Sequence, residues 1–196
     1  MVAPVDGLAD APGTGFEPGK KNTALQMHVA FFDTDNDGII WPTDTYAGMR
    51  DIKFGVVLAV LSAMIIHSGF SYMSWGTYLP DPLFRLRINR MHRAIHGSDS
   101  RSYTTTGEFD DNRFNLIFDM YSSAPHTHLT FSEGWRMYRG NMNASDAFGW
   151  FASAFEWLAT YIMLWPTDPR GMAKEDVKAV FNGSIFYRIS GRKPKL

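Results

Sequence analysis

The sequence of 196 residues contains no cysteine. Disulfide bonds and thiolate chemistry are therefore excluded, and so is a haem held by a cysteine thiolate. An excess of charge is also lacking, because 19 Lys and Arg against 20 Asp and Glu give a net charge of −1. Without a positive field to attract phosphates, we expect no nucleic-acid partner.

The N-terminal segment lacks the apolar run of a secretory signal peptide and is rich in proline and glycine. We therefore expect residues 1–21 to be a disordered lead and residues 22–196 to form a single domain. The chain also lacks a glycine-rich phosphate loop and a Ser-His-Asp signature, so its chemistry must come from other residues.

Residues 33–44 read DTDNDGIIWPTD, the spacing of an EF-hand calcium loop. A hard divalent cation needs about 6–8 oxygen ligands, and such a loop supplies them at alternate positions. Gly38 permits the sharp turn around the ion. The expected ligands are the carboxylates of Asp33, Asp35 and Asp37, the backbone carbonyl of Ile39, a carbonyl or bridging water at Trp41, and the carboxylate of Asp44.

The last of these ligands departs from the usual pattern, in which position twelve carries a bidentate glutamate. Asp44 is one methylene shorter, so it reaches the ion less easily with both oxygens. We expect weaker calcium binding and a greater share of the smaller Mg²⁺.

The first helix is predicted to start at Thr23, because Thr23 and Gln26 have the spacing of a capping box. His28 and Val29 then share one face with the other apolar residues, directly before the calcium loop. Spacing alone favours a core histidine bonded to a backbone carbonyl over a metal ligand.

The segment 54–73 is apolar and long enough to cross a bilayer as a helix of about 20 residues. It also contains serines, glycines and His67, to which the sequence assigns no role. Aromatic residues, a proline turn at 80–82 and several arginines follow, a pattern typical of a segment in a headgroup layer or lipid monolayer. We expect membrane or lipid-droplet contact rather than a helix buried in a soluble core.

A short helix is predicted from Leu86 to His96, with Gly97 as its C-cap. His92 and His96 would then share one face and could bind a metal. The alternative is a solvated basic helix end, because no glutamate completes an H-E-x-x-H motif.

The segment 122–133 has the outline of a second EF-hand loop that has lost its early acids. Leu129 would take position eight and Glu133 position twelve. We expect Leu129 to pair with Ile40 in a short β contact, and we expect this loop to bind no ion. The predicted fold class is therefore mainly α, with one active and one degenerate EF-hand loop and an apolar appendage.

The run from Ala147 to Trp165 is very aromatic, and Glu156 is its one charged residue. A central core helix is favoured over a lipid-contacting one.

Together these segments resemble the caleosin family, calcium-binding proteins of lipid droplets that include haem-dependent peroxygenases. The resemblance covers nearly the whole chain from Leu25 and fits the short form found in fungi and algae. The proline turn departs from the family pattern, since a third proline is missing after Pro82. The matching segments are LQMHVAFFDTDNDGIIWPTDTY, HRAIHGSDSRSY, GEF, LTFSEGW, GNMNASDAFGW, FEW and FNGSIFY.

The resemblance implies haem b held by His28 and His96, with His92 a weaker candidate, and Ca²⁺ in the loop. Two axial imidazoles would leave no site on the iron for a peroxide. Either one histidine dissociates during turnover, or one binds the iron while the other acts as a distal acid–base group.

The resemblance also implies an activity and a location. The implied reaction is peroxygenation, in which fatty-acid hydroperoxides donate oxygen to unsaturated fatty acids. The implied location is the lipid-droplet monolayer or endoplasmic reticulum membrane, with part of the protein in the cytosol. The resemblance leaves open whether the protein forms a homo-oligomer. The alternative is a non-catalytic, calcium-dependent lipid-droplet coat or interaction protein.

Overall fold

A computed structural model describes residues 22–165 and 168–194. The expected disordered lead at 1–21 lies outside the described residues, as does Pro166, which was expected to end the long aromatic helix. In chain order the elements are α1 (Ala24–Ala30), β1 (Ile39–Ile40), α2 (Pro42–Asp51), α3 (Val56–Trp75), β2 (Leu86–Arg87), a 3-10 helix (Ile88–Ala94), α4 (Asp111–Tyr121), β3 (His128–Leu129), α5 (Phe131–Gly140), α6 (Ala147–Leu164), β4 (Met172–Ala173), α7 (Lys174–Phe181) and α8 (Ser184–Ser190). The prediction of a mainly helical fold is confirmed.

Several helices begin where local capping chemistry places them. The Thr23 side chain accepts from the Gln26 amide and the Gln26 side chain accepts from the Thr23 amide, which confirms the predicted capping box. Asp110 caps α4 by accepting from two backbone amides. A second capping box joins Thr130 and Glu133 at the start of α5.

The predicted pairing of the two loops is wrong. Ile40 lies opposite Leu86, and Leu129 lies opposite Met172, both in antiparallel register. Each loop thus pairs with the strand that follows the next long helix along the chain. Pairing with a segment nearer in sequence closes a shorter loop and costs less conformational entropy.

The predicted helix from Leu86 to His96 is also wrong. Leu86 and Arg87 form β2, and a 3-10 helix follows and ends at Ala94, before Gly97. Pairing with β1 holds the first two residues extended, and Ile95 is extended as well. His92 and His96 therefore do not share a helical face.

Two apolar clusters form the core. The first lies around the calcium loop and includes Phe31, Ile40 and Ile88. The second lies around the second loop and includes Phe118 and Leu129. Both clusters use the long helix α6 as a neighbour, because Leu164 packs against each of them.

The buried face of helix α3 consists of small and polar residues, while several of its large apolar residues are exposed. His67 is buried, as are three serines of the same helix. Val57 is 74% exposed and Met64 is 64% exposed. Within the described residues, α3 is the one helix long and apolar enough to cross a membrane. An outward apolar face is the opposite of what a soluble core helix presents.

Candidate metal loop and imidazole-lined cavity

The predicted calcium loop brings three carboxylates together. One carboxylate oxygen each from Asp33, Asp35 and Asp37 can be chosen so that all lie within 4.8 Å of one another. Asp33 is buried and accepts hydrogen bonds from the amides of Asn36 (2.9 Å) and Gly38 (3.0 Å). Hard oxygen donors grouped in this way fit a calcium or magnesium ion.

The end of the loop is fixed by the start of α2. Asp44 Oδ2 accepts from the Trp41 amide at 2.9 Å, and Asp44 is not among the three carboxylates that lie together in the described chain. The Trp41 carbonyl accepts from the amides of Asp44 (2.9 Å) and Thr45 (3.1 Å), as the first turn of a helix requires. This geometry favours a bridging water at Trp41 over direct ligation by its carbonyl.

His28 lies on α1 and lines a large apolar cavity. Its Nδ1 lies 2.7 Å from the Val180 carbonyl, which can only accept, so Nδ1 donates and Nε2 keeps its lone pair. Burial lowers the pKa of His28, and the Val180 bond offsets this in part. A neutral imidazole held through one nitrogen to a carbonyl is the arrangement that metal-binding histidines use.

The turn after α7 makes this bond possible. Gly183 has a φ of 75°, and a Cβ there would lie 2.8 Å from the His28 Cα. A larger residue would push the turn away from α1, and the Val180 carbonyl would move with it.

The cavity has a volume of about 520 Å³, which falls in the range of small-molecule sites. His28 and His96 both line it, whereas His92 does not appear among the described residues of its wall. Most of the wall is apolar, with residues from α1, α3, α6 and α7. The lining residues include the titratable side chains of His28, His96, Asp99, Tyr103 and Glu156, together with Val180.

His96 is paired with a residue that sequence reasoning did not assign to the site. Its Nε2 lies 3.4 Å from Oε2 of Glu156, while its Nδ1 is buried without a hydrogen-bond partner in the described chain. Burial alone would lower the pKa of His96, but Glu156, Asp99 and Asp146 together outweigh it and raise the pKa. Loss of hydration raises the pKa of Glu156 as well, although its side chain is 42% exposed and His96 opposes the shift. The pair can therefore share one proton inside the cavity.

The loop after His96 is tied to the helix that carries Glu156. The Ser98 hydroxyl donates to Asp146 Oδ2 at 2.6 Å, and the Asn143 side chain donates to the Gly97 carbonyl at 2.8 Å. Asp146 also caps α6 through the Gly149 amide at 2.9 Å. These bonds fix His96 and Glu156 relative to each other.

Tyr103 closes one side of the cavity. Its hydroxyl donates to the Phe181 carbonyl at 2.5 Å, and burial raises its pKa well above the usual 10. The phenol therefore stays neutral, and its hydrogen bond connects the 103–109 turn to α7.

His67, which the sequence left without a role, joins two parts of the fold. Its Nδ1 lies 2.5 Å from the Phe84 carbonyl and its Nε2 lies 2.8 Å from the Thr45 hydroxyl. Both ring nitrogens are thus in use, so His67 does not offer a lone pair to haem.

The second loop is closed by its own carboxylate. Glu133 accepts from the amides of Ser123 (2.8 Å) and Thr130 (2.9 Å) and from both hydroxyls. Burial raises the pKa of Glu133, but these bonds prevail and lower the pKa from 4.5 to about 2. The position that would complete an ion site is occupied by hydrogen bonds.

Sequence reasoning missed Glu156, Asp99 and Tyr103 as members of the site. The available indications were the lone carboxylate within the aromatic run 147–165 and the presence of all three residues in the segments HRAIHGSDSRSY and FEW. That run is a single helix, α6, but three of its residues are buried, Gly149, Ala152 and Ser153, and much of the rest lines the cavity. The expected solid core helix is therefore better described as a cavity wall.

The fold and the site define a mainly helical protein in which the helix before an acidic loop presents a neutral imidazole to an apolar cavity. The family model described as caleosin related protein matches residues 20–190, and the chain belongs to the caleosin family. This family binds calcium and is associated with lipid bodies.

Several relatives agree with that membership. A peroxygenase of Lilium longiflorum is 39% identical over 85% of this chain and 70% of its own length. Probable peroxygenase 4 of Arabidopsis thaliana is 31% identical over 92% of both chains. A probable inactive peroxygenase-like protein of Arabidopsis thaliana is 26% identical over 74% of this chain and 69% of its own length. No solved structure matches this chain.

Proposed function

We propose that this protein is a calcium-binding haem peroxygenase that uses fatty-acid hydroperoxides to oxidise unsaturated fatty acids at lipid droplets or membranes. The enzyme class follows from the two relatives named as peroxygenases, which align over most of the chain. The haem, the substrates and the residue roles are our proposal. The observation that carries it is the free Nε2 of His28 in an apolar cavity.

His28 is the residue that we assign to hold haem, which it would do through its Nε2. Its Nδ1–H is held by Val180, so the ring cannot rotate without losing that bond. When bound, haem supplies the iron chemistry that cleaves an O–O bond and transfers one oxygen. The apolar wall excludes water from the reacting groups.

His96 is the residue we assign as the distal group, with Glu156 beside it. The distance of 3.4 Å between His96 Nε2 and Glu156 Oε2 lets the pair hold one proton and present it within the cavity. Binding to haem stays open as a second role for His96, because Glu156 faces its Nε2 and its Nδ1 has no hydrogen-bond partner in the described chain. We assign no direct role to His92.

Calcium is proposed to act through position rather than chemistry. Asp33 lies three residues beyond the end of α1, which carries His28. An ion held by the aspartates and by Ile39 and Asp44 would fix the end of α1 and hence the imidazole. Asp44 is expected to weaken that binding relative to glutamate.

The lipid surface is proposed to lie against α3. Its outward residues Val57 and Met64 continue into exposed Tyr78 and Leu79 at the proline turn. Such a face suits a lipid monolayer or the endoplasmic reticulum membrane. The same face also supports the second candidate, a non-catalytic coat protein, for which the inactive-like relative is the other observation.

Reconstitution with hemin separates these two candidates. We expect purified protein with calcium to give a Soret band and hydroperoxide-dependent epoxidation of oleate. His28→Ala should lose both, and His96→Ala should keep the band but lose at least about 100-fold in turnover, the size of a general acid–base contribution. His128→Ala, at the second loop, is the matched control and should retain both. Wild-type protein that retains no haem after hemin addition and removal of the excess would leave the coat protein as the better account.

A further inference from the structure

The exposed residues of the cavity wall all lie on two helices. Among the described residues that line the cavity, Ser68, Phe148 and Phe151 are exposed, while the others are buried or half-buried. Ser68 belongs to α3, and both phenylalanines belong to α6. A wall residue that is also exposed marks the place where a cavity meets the surface. The cavity therefore opens between α3 and α6.

The opening adjoins the exposed apolar face of α3. Four large residues of that face are exposed, namely Val57, Leu61, Met64 and Tyr72. Together with Ser68 they recur every three or four positions, so they form one row along the same side of the helix. Ser68 lies in this row one turn after Met64 and one turn before Tyr72. A surface that covers the row would therefore also cover the opening.

The rim that α6 contributes to the opening is apolar as well. Phe151 and Leu158 are exposed two turns apart on this helix. Neither α3 nor α6 contains a lysine, an arginine or an aspartate, and their one glutamate is Glu156. That carboxylate lies beside His96 in the cavity wall. Because the rim presents apolar and aromatic side chains, it suits contact with lipid better than contact with water.

Phe148 lies between the opening and His96. Its ring is nearly perpendicular to the rings of His96 and Phe70, with centroid distances of 6.3 Å and 5.7 Å. A Cβ at Gly69 would lie 3.2 Å from the same ring, so the glycine lets α3 approach Phe148 closely. The Phe148 side chain also reaches the surface, where it is 41% exposed. It therefore forms the inner edge of the opening.

We propose that acyl chains enter this cavity directly from a lipid surface, through the opening between α3 and α6 and past Phe148. The partner is a phospholipid-covered surface that contacts the exposed row of α3 and the outer side of α6. A chain that takes this route meets His96 without first crossing water. The inference rests on the proposed function in taking a fatty-acid chain as the ligand of the cavity, and it requires neither haem nor turnover.

Transfer of parinarate from the protein to vesicles tests this route on the full chain with calcium and without haem. Parinarate is a fluorescent fatty acid, and Trp157 in the cavity wall reports its presence by energy transfer. Vesicles of dioleoylphosphatidylcholine are added in excess at several concentrations. For direct passage, the transfer rate should rise about tenfold when the vesicle concentration rises about tenfold, because collision with lipid is then the slow step. Release through water would give a rate that does not depend on vesicle concentration.

Two matched methionine variants locate the contact. Met64→Asp places a charge in the row of α3, one turn from Ser68, and should lower the dependence of the rate on vesicle concentration by about tenfold. Met120→Asp places the same charge on α4, at a residue that is 68% exposed against 64% for Met64, and should transfer as the wild type does. Parinarate affinity without vesicles should stay within about threefold of the wild type in both variants, which reports that the cavity is intact.

The lack of cysteine in the chain allows a second, independent block of the opening. Ser68→Cys labelled with a polyethylene glycol maleimide should slow transfer by at least about tenfold, because the polymer keeps lipid away from the opening. The unlabelled variant should transfer as the wild type does. Labelled Ser132→Cys, at an exposed serine of α5, is the matched control and should do the same. This labelling decides the matter if Met64→Asp loses affinity for parinarate.

Three results would overturn the proposal. The first is a wild-type protein that does not bind parinarate. The second is a wild-type transfer rate that stays the same at every vesicle concentration. The third is unchanged transfer both in Met64→Asp and after labelling of Ser68→Cys. Because the readout is fluorescence of a fatty acid without haem, these results are independent of a Soret band or turnover, so failure here and failure of the haem assignment are distinguishable.

Discussion

The two loops of this protein hold the same helix–loop–helix shape by different means. The loop at 33–44 gathers the carboxylates of Asp33, Asp35 and Asp37, which repel one another unless a cation lies between them. The loop at 122–133 keeps one acid, Glu133, and satisfies it with four internal hydrogen bonds. The first loop can respond to an ion, and the second is always closed.

The two loops also lie next to different parts of the protein, so a response to an ion has different consequences in each. The first loop follows α1, which carries His28 into the cavity, whereas the second joins α4 and α5 around a separate apolar cluster. An ion-dependent loop next to the imidazole can couple calcium to the site. A permanently closed loop elsewhere supplies stability without coupling.

The largest expected effect comes from removing the central ligand of the first loop. Asp33→Ala should lower the free energy of unfolding by about 3 kcal/mol in calcium, because the ion and the acceptor for two amides are lost. The urea unfolding curves measured with calcium and with chelator should then coincide for the variant and differ for the wild type. Asp119→Ala, exposed on α4, should behave as the wild type. Different unfolding curves for Asp33→Ala with calcium and with chelator would contradict the assignment of Asp33 as a calcium ligand.

The next effect separates the loops. Glu133→Gln should cost about 2 kcal/mol, since an amide accepts fewer and weaker bonds than the carboxylate. Its calcium response in the same urea assay should match that of the wild type. A smaller calcium response in this variant would mean that the loops are coupled and would break the comparison.

Acid should reveal the second loop without mutation. The pKa of Glu133 is lowered from 4.5 to about 2. Between these two pH values the carboxyl group is therefore protonated in the unfolded chain and ionised in the folded chain. This contribution to stability is complete above pH 4.5 and is lost as pH falls toward 2. Unfolding measured at several pH values should show a smaller loss over that range in Glu133→Gln than in the wild type. Equal losses would indicate that other groups set the acid stability.

The smallest effect concerns the last ligand of the first loop. Asp44→Glu should raise calcium affinity by about tenfold and favour Ca²⁺ over Mg²⁺, because the longer arm can offer both oxygens. Stability without the ion should change by less than about 0.5 kcal/mol. Titration calorimetry with each ion provides the measurement. Unchanged affinity would show that position twelve does not contact the ion.

Local patterns in the sequence carried much of the fold. The capping box at Thr23 follows from neighbouring residues and is as predicted, and the cap at Asp110 is equally local. The strand pairs did not follow, because strands of two residues contain too little pattern to specify a partner. The segment after Leu86 was misassigned for the same reason, since its pairing with β1 is a long-range contact.

The candidate site divides in the same way. The aspartates of the loop were evident from spacing, and His28 and His96 from resemblance. The structure places both histidines in one cavity and brings Glu156 to His96. Glu156 carried no spacing relation to either histidine, so the sequence alone could not connect them. For His92 the sequence predicted a relation that the structure does not show. His92 and His96 have α-helical spacing, but the segment is a 3-10 helix that ends at Ala94.

The most direct test of the central claim is a hemin titration of the purified protein, followed by absorption, with calcium and then with chelator. The account predicts tight binding with calcium, at least about tenfold weaker binding with chelator, and a chelator-insensitive weak site in Asp33→Ala. Glu133→Gln should respond to chelator as the wild type does. Equal hemin affinity with and without calcium in the wild type would contradict the coupling of the loop to His28.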